Sequence, residues 1–282
     1  MCAFKPMEPP LAPGLYIVAT PIGNLSDLSP RAAATLRAVD HILAEDKRVT
    51  AKLLAHAGAK APMTVYHDHS GDDDRRHMLD LLATRAVALV SDAGTPLISD
   101  PGYKLVRAAR AAGHRVFTIP GPCAAIAALT VAGLPTDRFL FAGFLPAKSK
   151  GRRDAIAELG VVKASLIIYE SGPRLGDCLA DLAVVLGVRE AAIVREISKL
   201  HEECVTGTLD ELARRYAETP PKGEIVIVVG PPPEIETSAD DLDAALADAL
   251  GRLSPSRAAA EVAERLGVPR RRAYARALEL SR

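Results

Sequence analysis

The stretch with the strongest chemical pattern is Ala86 to Ala109, where a short apolar run is followed by a crowded polar loop. Its first residues, Ala86–Val90, are uncharged and apolar, as expected for a parallel strand covered on both faces. Asp92 follows this strand, where a carboxylate can accept hydrogen bonds from a ligand, and Gly94 allows close approach to the backbone. The stretch fits either a ligand site or an ordinary strand-to-helix connection.

Two other strand-like runs end in residues that could serve the same site. Leu15–Thr20 leads into Pro21–Asp27, a compact loop without the glycine fingerprint of dinucleotide-binding folds. Asp40–Asp46 ends in two carboxylates, and Lys47 and Arg48 follow directly. This charged cluster fits a substrate-facing edge or a solvated turn equally well.

Further along, Pro120–Ala125 opens a helix with small residues, as helices do where a ligand lies close to backbone N–H groups. His67-Asp68-His69 has metal-ligating residue types, but alternate residues at a strand end point to opposite faces and no third ligand is evident. A polar turn is the favoured interpretation, so no metal site is predicted.

The elements that position these loops alternate between strand and helix, which predicts an α/β protein with a parallel sheet. Ser29-Pro30 and Ser99-Asp100-Pro101 predict helix N-caps, and Asp72–Thr84 predicts a helix. The predicted domains are a disordered tail (1–13), an N-terminal α/β domain (14–134), a second α/β domain (135–232) and a helical domain (238–282). The strands predicted for the second sheet are Arg138–Phe144, Ser165–Glu170, Ala191–Arg195 and Lys222–Gly230.

Composition narrows the classes of function. The chain has 282 residues with 35 basic and 35 acidic side chains, so attraction to a nucleic acid must be local. The four cysteines are scattered, which favours a reducing cytosol and a cytoplasmic location. No apolar run approaches the roughly 20 residues that cross a bilayer, so no membrane partner is expected.

Basic side chains concentrate in two places. Lys148, Lys150, Arg152 and Arg153 surround Gly151, in what is either a phosphate-binding loop or a solvated one. Residues 256–280 predict two amphipathic helices broken at Gly267-Val268-Pro269, the outline of a helix-turn-helix. Nucleic-acid contact is favoured over a capping bundle, because Arg270, Arg271 and Arg272 open the second helix.

Taken together, the motifs resemble a known family. They include LYIVATPIGNLSDL, ILAEDKR, LVSDAGTPLISDPGYKLV, IPGPCAAIAAL, YESGPR and KGEIVIVV. From about Gly14 to the end, the chain is similar to bacterial cytidine 2′-O-methyltransferases of small-subunit ribosomal RNA, in the tetrapyrrole methylase superfamily (class III methyltransferases). The resemblance implies two α/β domains, the first with a parallel and the second with a mixed sheet, S-adenosyl-L-methionine as methyl donor, 16S ribosomal RNA of the small subunit as partner, and a homodimer.

Carried over residue by residue, the resemblance implies a cofactor site in the cleft between the two domains. Its residues are Ile22, Asp92, Gly94, Thr95, Pro96, Cys123, Ala124, Tyr169 and Ile225. This sequence departs from the family pattern at Lys47, where threonine is usual, at Pro173, where histidine is common, and at Gly230, where an acidic residue is frequent.

A ribose hydroxyl is a poor nucleophile until its proton has an acceptor, so a positioned base or cation should assist methyl transfer. By their positions at strand ends, the catalytic candidates are Asp46, Glu170 and Lys199, with water as an alternative proton acceptor. The candidate RNA contacts are Arg48, Lys150, Arg152, Arg153, Arg270, Arg271 and Arg272. Two other functions stay open: a precorrin-type tetrapyrrole methyltransferase, and a non-enzymatic nucleic-acid-binding regulator.

Overall fold

A computed structural model of the protein describes residues 11–68, 72–233 and 239–281, with backbone alone for 72–74. Most of the predicted N-terminal tail, His69, and residue 238, where the helical domain was predicted to begin, therefore lie outside the described residues. The chain divides into two compact units, Met1–Pro232 and Pro233–Arg282.

The first sheet is entirely parallel, with strand order β3-β2-β4-β1-β5. This confirms the predicted N-terminal architecture. The carboxyl ends of the central strands β4 and β1 lie side by side, which places the loops that follow them at one edge of the sheet. The strands are β1 (Gly14–Val18), β2 (His41–Ala44), β3 (Met63–Val65), β4 (Ala86–Val90) and β5 (Val116–Ile119).

Apolar clusters cover both faces of this sheet, in agreement with the uninterrupted apolar sequence of β4. Ser29 caps α1 as predicted, since its Oγ accepts the Ala32 N–H at 3.1 Å. The predicted cap at Ser99 is wrong, because α4 begins only at Tyr103 and Ser99 has φ 64°. The helices are α1 (Pro30–Ala38), α2 (Lys47–Ala57), α3 (Asp72–Thr84), α4 (Tyr103–Ala111) and α5 (Ala124–Val131).

The second sheet is mixed, with strand order β6-β7-β10-β8-β9. Only β6 and β7 are parallel, and the other pairs are antiparallel. The edge strand β9 was not predicted from the sequence, whereas the other four were. The strands are β6 (Phe139–Phe144), β7 (Ser165–Ser171), β8 (Glu190–Arg195), β9 (Glu203–Thr208) and β10 (Glu224–Val229); the helices are α6 (Ser149–Gly160), α7 (Gly172–Leu186) and α8 (Leu209–Tyr216).

Helix α5 follows the first sheet in sequence but packs on the second. Its buried residues Ala125, Ala128 and Leu129 share a core with Ile167 of β7 and Val226 of β10. Small side chains let a helix approach a sheet closely, so this contact joins the two sheets within one compact unit.

The described part of the C-terminal unit contains three helices, α9 (Ala239–Leu250), α10 (Pro255–Leu266) and α11 (Arg270–Leu280). The break between α10 and α11 falls at Gly267-Val268-Pro269, as predicted, and Gly267 has φ 65°. These helices share an alanine-rich core, and Arg276 of α11 binds Asp243 of α9 at 2.6 Å. Among the described residues, no helix has the length and apolar character needed to cross a membrane.

A buried ion pair fixes α6 against α7. Arg152 is 4% exposed, and its Nε donates to Asp181 Oδ2 at 2.7 Å. Asp181 also binds Arg153 at 2.6 Å and the hydroxyl of Ser149 at 3.0 Å. The carboxylate thus neutralises a cation that has little access to water.

We expect Asp181→Ala to lower the free energy of unfolding by about 3–5 kcal/mol, because it leaves the Arg152 cation buried without its partner. Arg153→Ala is the matched control: its side chain is 50% exposed, and its removal should cost less than about 1 kcal/mol. Urea unfolding monitored by circular dichroism measures both. Equal costs for the two variants would contradict this assignment.

Candidate functional site

A cavity of about 340 Å³ lies where the carboxyl edge of the first sheet meets the second sheet. The first sheet contributes the loops after β1 and β4, α5 contributes its first turn, and the second sheet contributes residues of β6, β7 and β10 with the loop after β8. The lining residues are Ile22, Ala93, Gly94, Thr95, Ile98, Ser99, Asp100, Cys123, Ala124, Phe144, Tyr169, Glu170, Ser171, Ile197, Gly223, Glu224, Ile225 and Val226.

Backbone hydrogen bonds hold the loops of the first sheet together. Thr20 and Gly94 exchange two, at 2.8 and 3.1 Å, and Gly94 has φ 82°. A Cβ at Gly94 would lie 3.3 Å from the Ile22 side chain, so glycine keeps this corner of the cavity open. Thr95 Oγ1 donates to the carbonyl of Pro122 at 2.9 Å and thereby links the central loop to the start of α5.

Tyr169 connects the second sheet to the same helix. Its hydroxyl accepts the backbone N–H of Ala125 at 3.1 Å, which satisfies one of the free donors at the start of α5. The N-cap residue itself, Cys123, makes no capping hydrogen bond through its side chain. Burial, and secondarily the nearby Cys123, raise the pKa of Tyr169 to about 12, so the hydroxyl stays protonated at neutral pH.

The structure brings most of the residues implied for cofactor binding into this cavity: Ile22, Gly94, Thr95, Cys123, Ala124, Tyr169 and Ile225 line it. Asp92 and Pro96 are not among the lining residues. Asp92 instead accepts the N–H of Asp46 at 3.1 Å, and its own N–H donates to Glu45 at 3.3 Å.

Sequence reasoning missed several lining residues, chiefly Ile98, Asp100, Phe144, Ile197 and Glu224. Asp100 belongs to the loop that the sequence singled out, but its segment was interpreted as a helix cap. The other missed residues lie on strands or loops whose facing surfaces no local pattern reveals.

The three candidate catalytic residues have different surroundings. Glu170 lines the cavity, but its side chain is 0% exposed; it lies 3.2 Å from Arg174 and accepts the Ser171 N–H at 2.8 Å. Asp46 caps α2 and binds Arg48 at 2.7 Å. The hydrogen bond from Arg48 lowers the pKa of Asp46 to about 2, which makes this carboxylate a weak base.

Lys199 binds Glu196 at 2.9 Å and Glu224 at 2.8 Å. Burial lowers the pKa of Lys199, but its hydrogen bonds to Glu224 and Glu196 outweigh burial and raise the pKa overall. Lys199 is therefore a cation at neutral pH that orients Glu224 at the cavity wall. This state argues against Lys199 as a proton acceptor.

Asp100 belongs to the cavity lining, and the pKa of its carboxyl group is raised above the usual value for aspartate. Burial raises its pKa to about 6; a hydrogen bond with Ser91 acts against this shift, and the negative charges of Glu45 and Asp92 add to it. A carboxyl group with such a pKa is ionised at neutral pH yet retains affinity for a proton.

The predicted RNA contacts are distributed over both units. Lys150 and Arg153 are exposed on α6, and Arg48 is exposed although it binds Asp46. Arg152 is buried against Asp181, which argues against the predicted contact of its guanidinium with RNA. Arg270, Arg271 and Arg272 are exposed in the first turn of α11.

Local geometry accounts for two of the family departures. Pro173 occupies the first turn of α7, where proline is tolerated. Gly230 follows β10, and a Cβ there would lie 3.2 Å from the carbonyl oxygen of Glu190. Lys47 begins α2 and is exposed; nothing in the structure explains its replacement of threonine.

The cavity has a distinctive chemical character. Its walls are mainly apolar, and three acidic residues line it, of which Glu170 pairs with Arg174 and Glu224 with Lys199, while Asp100 is the third. No lysine, arginine or histidine is among the described lining residues. Within the same described residues, no group of three or more histidine, cysteine or acidic side chains is arranged to hold a metal ion. The site is suited to a partly apolar ligand with positive charge.

Comparisons with known proteins agree over nearly the whole chain. Residues 14–213 match the family described as Tetrapyrrole (Corrin/Porphyrin) Methylases, and residues 236–281 match the domain described as RsmI C-terminal HTH domain. Ribosomal RNA small subunit methyltransferase I of Erythrobacter litoralis is 55% identical over 271 residues, 96% of each chain. The protein of the same name from Escherichia coli O157:H7 is 47% identical over 270 residues, 94% of each chain.

Solved structures share the two-sheet fold. Uroporphyrin-III C-methyl transferase from Thermus thermophilus, complexed with S-adenyl homocysteine, has a TM-score of 0.54 at 22% identity, covering 77% of this chain and 97% of that one. A diphthine synthase has a TM-score of 0.61 at 14% identity, covering 77% and 89%. At these identities the likeness shows the fold alone.

We expect Asp100→Asn to stabilise the protein by about 1–3 kcal/mol at pH 8. The pKa of Asp100 rises from 3.8 to about 6 on folding, so its stabilising contribution is present below pH 3.8 and is lost as the pH rises through 6. The difference in free energy of unfolding between Asp100→Asn and the wild type should therefore shrink as the pH falls from 6 towards 4. Urea unfolding of both proteins at pH 8 and pH 4.5 measures this difference.

Asp46→Asn is the control, because the pKa of Asp46 is lowered and its charged form is the favoured one in the folded protein. This variant should give no gain at pH 8. Equal stability of Asp100→Asn and the wild type at pH 8 would show that burial does not disfavour the Asp100 carboxylate.

Proposed function

Because this chain belongs to the tetrapyrrole methylases, and among them to the family of ribosomal RNA small subunit methyltransferase I, we propose that it methylates the ribose 2′-hydroxyl of a cytidine in 16S ribosomal RNA. S-adenosyl-L-methionine is the methyl donor in this proposal. The observation that carries it is the cavity at the junction of the two sheets, whose described lining consists of apolar and acidic residues and includes no basic side chain.

The residues present fit this donor. S-adenosylmethionine carries a positive sulfonium and an ammonium group beside a flat, largely apolar base, and it supplies an activated methyl group when bound. The apolar walls at Ile22, Tyr169 and Ile225 suit the base. The carboxylate of Asp100 suits a positive charge, since Glu170 and Glu224 are already paired with Arg174 and Lys199. Gly94, Thr95, Cys123 and Ala124 would hold the donor from the side of the first sheet.

The main task of the protein in such a reaction is alignment, because a bound and correctly oriented pair reacts far faster than a freely diffusing one. The bonds between Thr20 and Gly94, from Thr95 to Pro122 and from Ala125 to Tyr169 fix the three walls of the cavity relative to each other. A preformed cavity of this kind restricts how the donor and the ribose can meet.

The alternative of a tetrapyrrole substrate leaves the three exposed arginines at the start of α11 without a purpose. The relatives that are 55% and 47% identical over nearly the whole chain are also named as ribosomal RNA methyltransferases. A non-enzymatic nucleic-acid-binding regulator would use the C-terminal unit but would leave this cavity without a purpose. Both alternatives therefore rank below RNA methylation.

The arrangement of arginines on α11 supports RNA contact by the C-terminal unit. The N-terminus of a helix carries partial positive charge, so three arginines in its first turn are electrostatically unfavourable there. A capping bundle would gain stability from acidic residues at that position. We infer that Arg270, Arg271 and Arg272 serve RNA phosphates, with Arg48, Lys150 and Arg153 as further contacts on the other unit.

We also propose that the enzyme acts on the small ribosomal subunit in the cytoplasm and works as a homodimer. The proposal of a homodimer follows from the family resemblance; Phe139 on edge strand β6 and Val131 on α5 are exposed apolar side chains, at 45% and 46%. Analytical ultracentrifugation determines whether the association occurs.

To test the function, the protein is incubated with methyl-labelled S-adenosylmethionine and small ribosomal subunits, and the labelled nucleoside is identified by mass spectrometry. We expect 2′-O-methylcytidine. Thr95→Trp should abolish labelling and weaken donor binding in calorimetry by at least about a hundredfold, because the indole fills the cavity. Thr95→Ser, which keeps the hydroxyl, is the matched control and should retain both.

Labelling of an added tetrapyrrole instead of RNA would overturn the proposed substrate. Unchanged donor affinity in a folded Thr95→Trp protein would show that the donor binds elsewhere.

Replacing Arg270, Arg271 and Arg272 with alanine should weaken binding to small subunits and reduce the slope of log K against log salt by roughly one for each phosphate that is no longer neutralised. Donor affinity should stay the same, because the cavity is formed by the other unit. Unchanged RNA affinity combined with a lower melting temperature would instead identify α11 as a structural cap.

A further inference from the structure

Phe144 places an exposed aromatic ring at the mouth of the cavity. It is the last residue of β6 and one of the lining residues, yet it is 59% exposed. A side chain that lines a cavity and is also open to solvent must lie at its entrance. The ring is therefore positioned to contact a second ligand that enters beside the methyl donor.

A β-bulge in β6 turns Phe144 towards the cavity. The pairing of β6 with β7 shifts in register between Phe141 and Gly143. In a regular strand, side chains three residues apart point to opposite faces, so Phe141 and Phe144 would be separated. The extra residue of the bulge brings both rings against Tyr169, with ring centroids 4.8 and 5.6 Å away. Bulges re-aim side chains in this way next to active sites.

The backbone on either side of Phe144 is held in place. Gly143 has φ 64°, and a Cβ there would lie 3.1 Å from Ser99 Oγ, so glycine permits the bulge where β6 meets the loop of the first sheet. Leu145 is buried in the core of the second sheet, and its carbonyl accepts a hydrogen bond from Arg174 at 2.7 Å. The exposed ring thus stands on a fixed strand end.

We propose that Phe144 is the platform on which the base of the target nucleotide stacks while its ribose enters the cavity. This inference rests on the proposed function and assigns a subsite to its RNA substrate. A nucleotide must leave the stack of its neighbours before an enclosed site can act on it. Aromatic side chains bind such unstacked bases because every base has an apolar π-face.

Basic side chains close to Phe144 in sequence suit the phosphates of the same nucleotide. Lys148 and Lys150 follow it within six residues, at the start of α6, and both are exposed. The partial positive charge of a helix N-terminus adds to their charge and favours an anion there. An aromatic ring followed by cations matches the alternation of base and phosphate along an RNA strand.

The test is single-turnover methylation at saturating S-adenosylmethionine over a range of small-subunit concentrations. Phe144→Ala should lower the ratio of maximal rate to half-saturating subunit concentration by about fivefold to a hundredfold, the usual effect of losing one base–aromatic stack. Phe144→Tyr and Phe144→Trp keep a ring and should stay within about threefold of the wild type. Phe144→Leu keeps apolar bulk without a ring and should behave like Phe144→Ala.

Two controls separate a platform for the RNA base from a wall of the donor site or a structural residue. Calorimetry should give S-adenosylmethionine affinities for Phe144→Ala and the wild type within about threefold of each other. Tyr103→Ala is the matched surface variant, because Tyr103 begins α4 as an aromatic residue that is 61% exposed but is not among the described lining residues. It should leave the ratio unchanged.

A wild-type ratio in Phe144→Ala or in Phe144→Leu would overturn the proposal. So would a tenfold or greater loss of donor affinity in Phe144→Ala, since the ring would then hold the base of the donor, and so would an equal loss of the ratio in Tyr103→Ala. If the wild-type protein forms no 2′-O-methylcytidine, the proposed function and this subsite both fail, whereas failure at the variant stage alone removes only the subsite.

Discussion

The packing of α5 on the second sheet is the interaction on which the site depends. The helix follows the first sheet in sequence, yet Ala128 and Leu129 are buried against strands of the other sheet, and its first turn lines the cavity. Thr95 of the central loop donates to the carbonyl just before this turn, and the Tyr169 hydroxyl of β7 accepts the Ala125 N–H. Because the free N–H groups at a helix start need partners, the bonds that satisfy the helix end also align the two halves of the cavity.

Acidic and basic side chains are concentrated in different parts of the chain. The cavity contains carboxylates, whereas exposed cations lie at Lys150 and Arg153 on α6 and in the first turn of α11. Since the net charge of the chain is zero, composition alone hides these local concentrations of acidic and basic side chains.

The sequence by itself determined the parallel first sheet, four strands of the second sheet and the helical pair at the C-terminus, because apolar periodicity and turn residues act locally. Its motifs also pointed to the central loop, and seven of the nine residues that they implied for cofactor binding line the cavity. The local pattern failed at Ser99, where a serine and a proline indicated a helix start but the chain instead turns through left-handed backbone into the cavity.

Only the tertiary structure decided which predicted residues share an environment. Asp46, Glu170 and Lys199 all follow strands, yet one caps a helix, one is buried beside an arginine and one bridges two glutamates. Asp100 differs because long-range packing buries it near Glu45 and Asp92. A pKa depends on burial and on charges brought together from distant parts of the chain, and that information is absent from any single stretch of sequence.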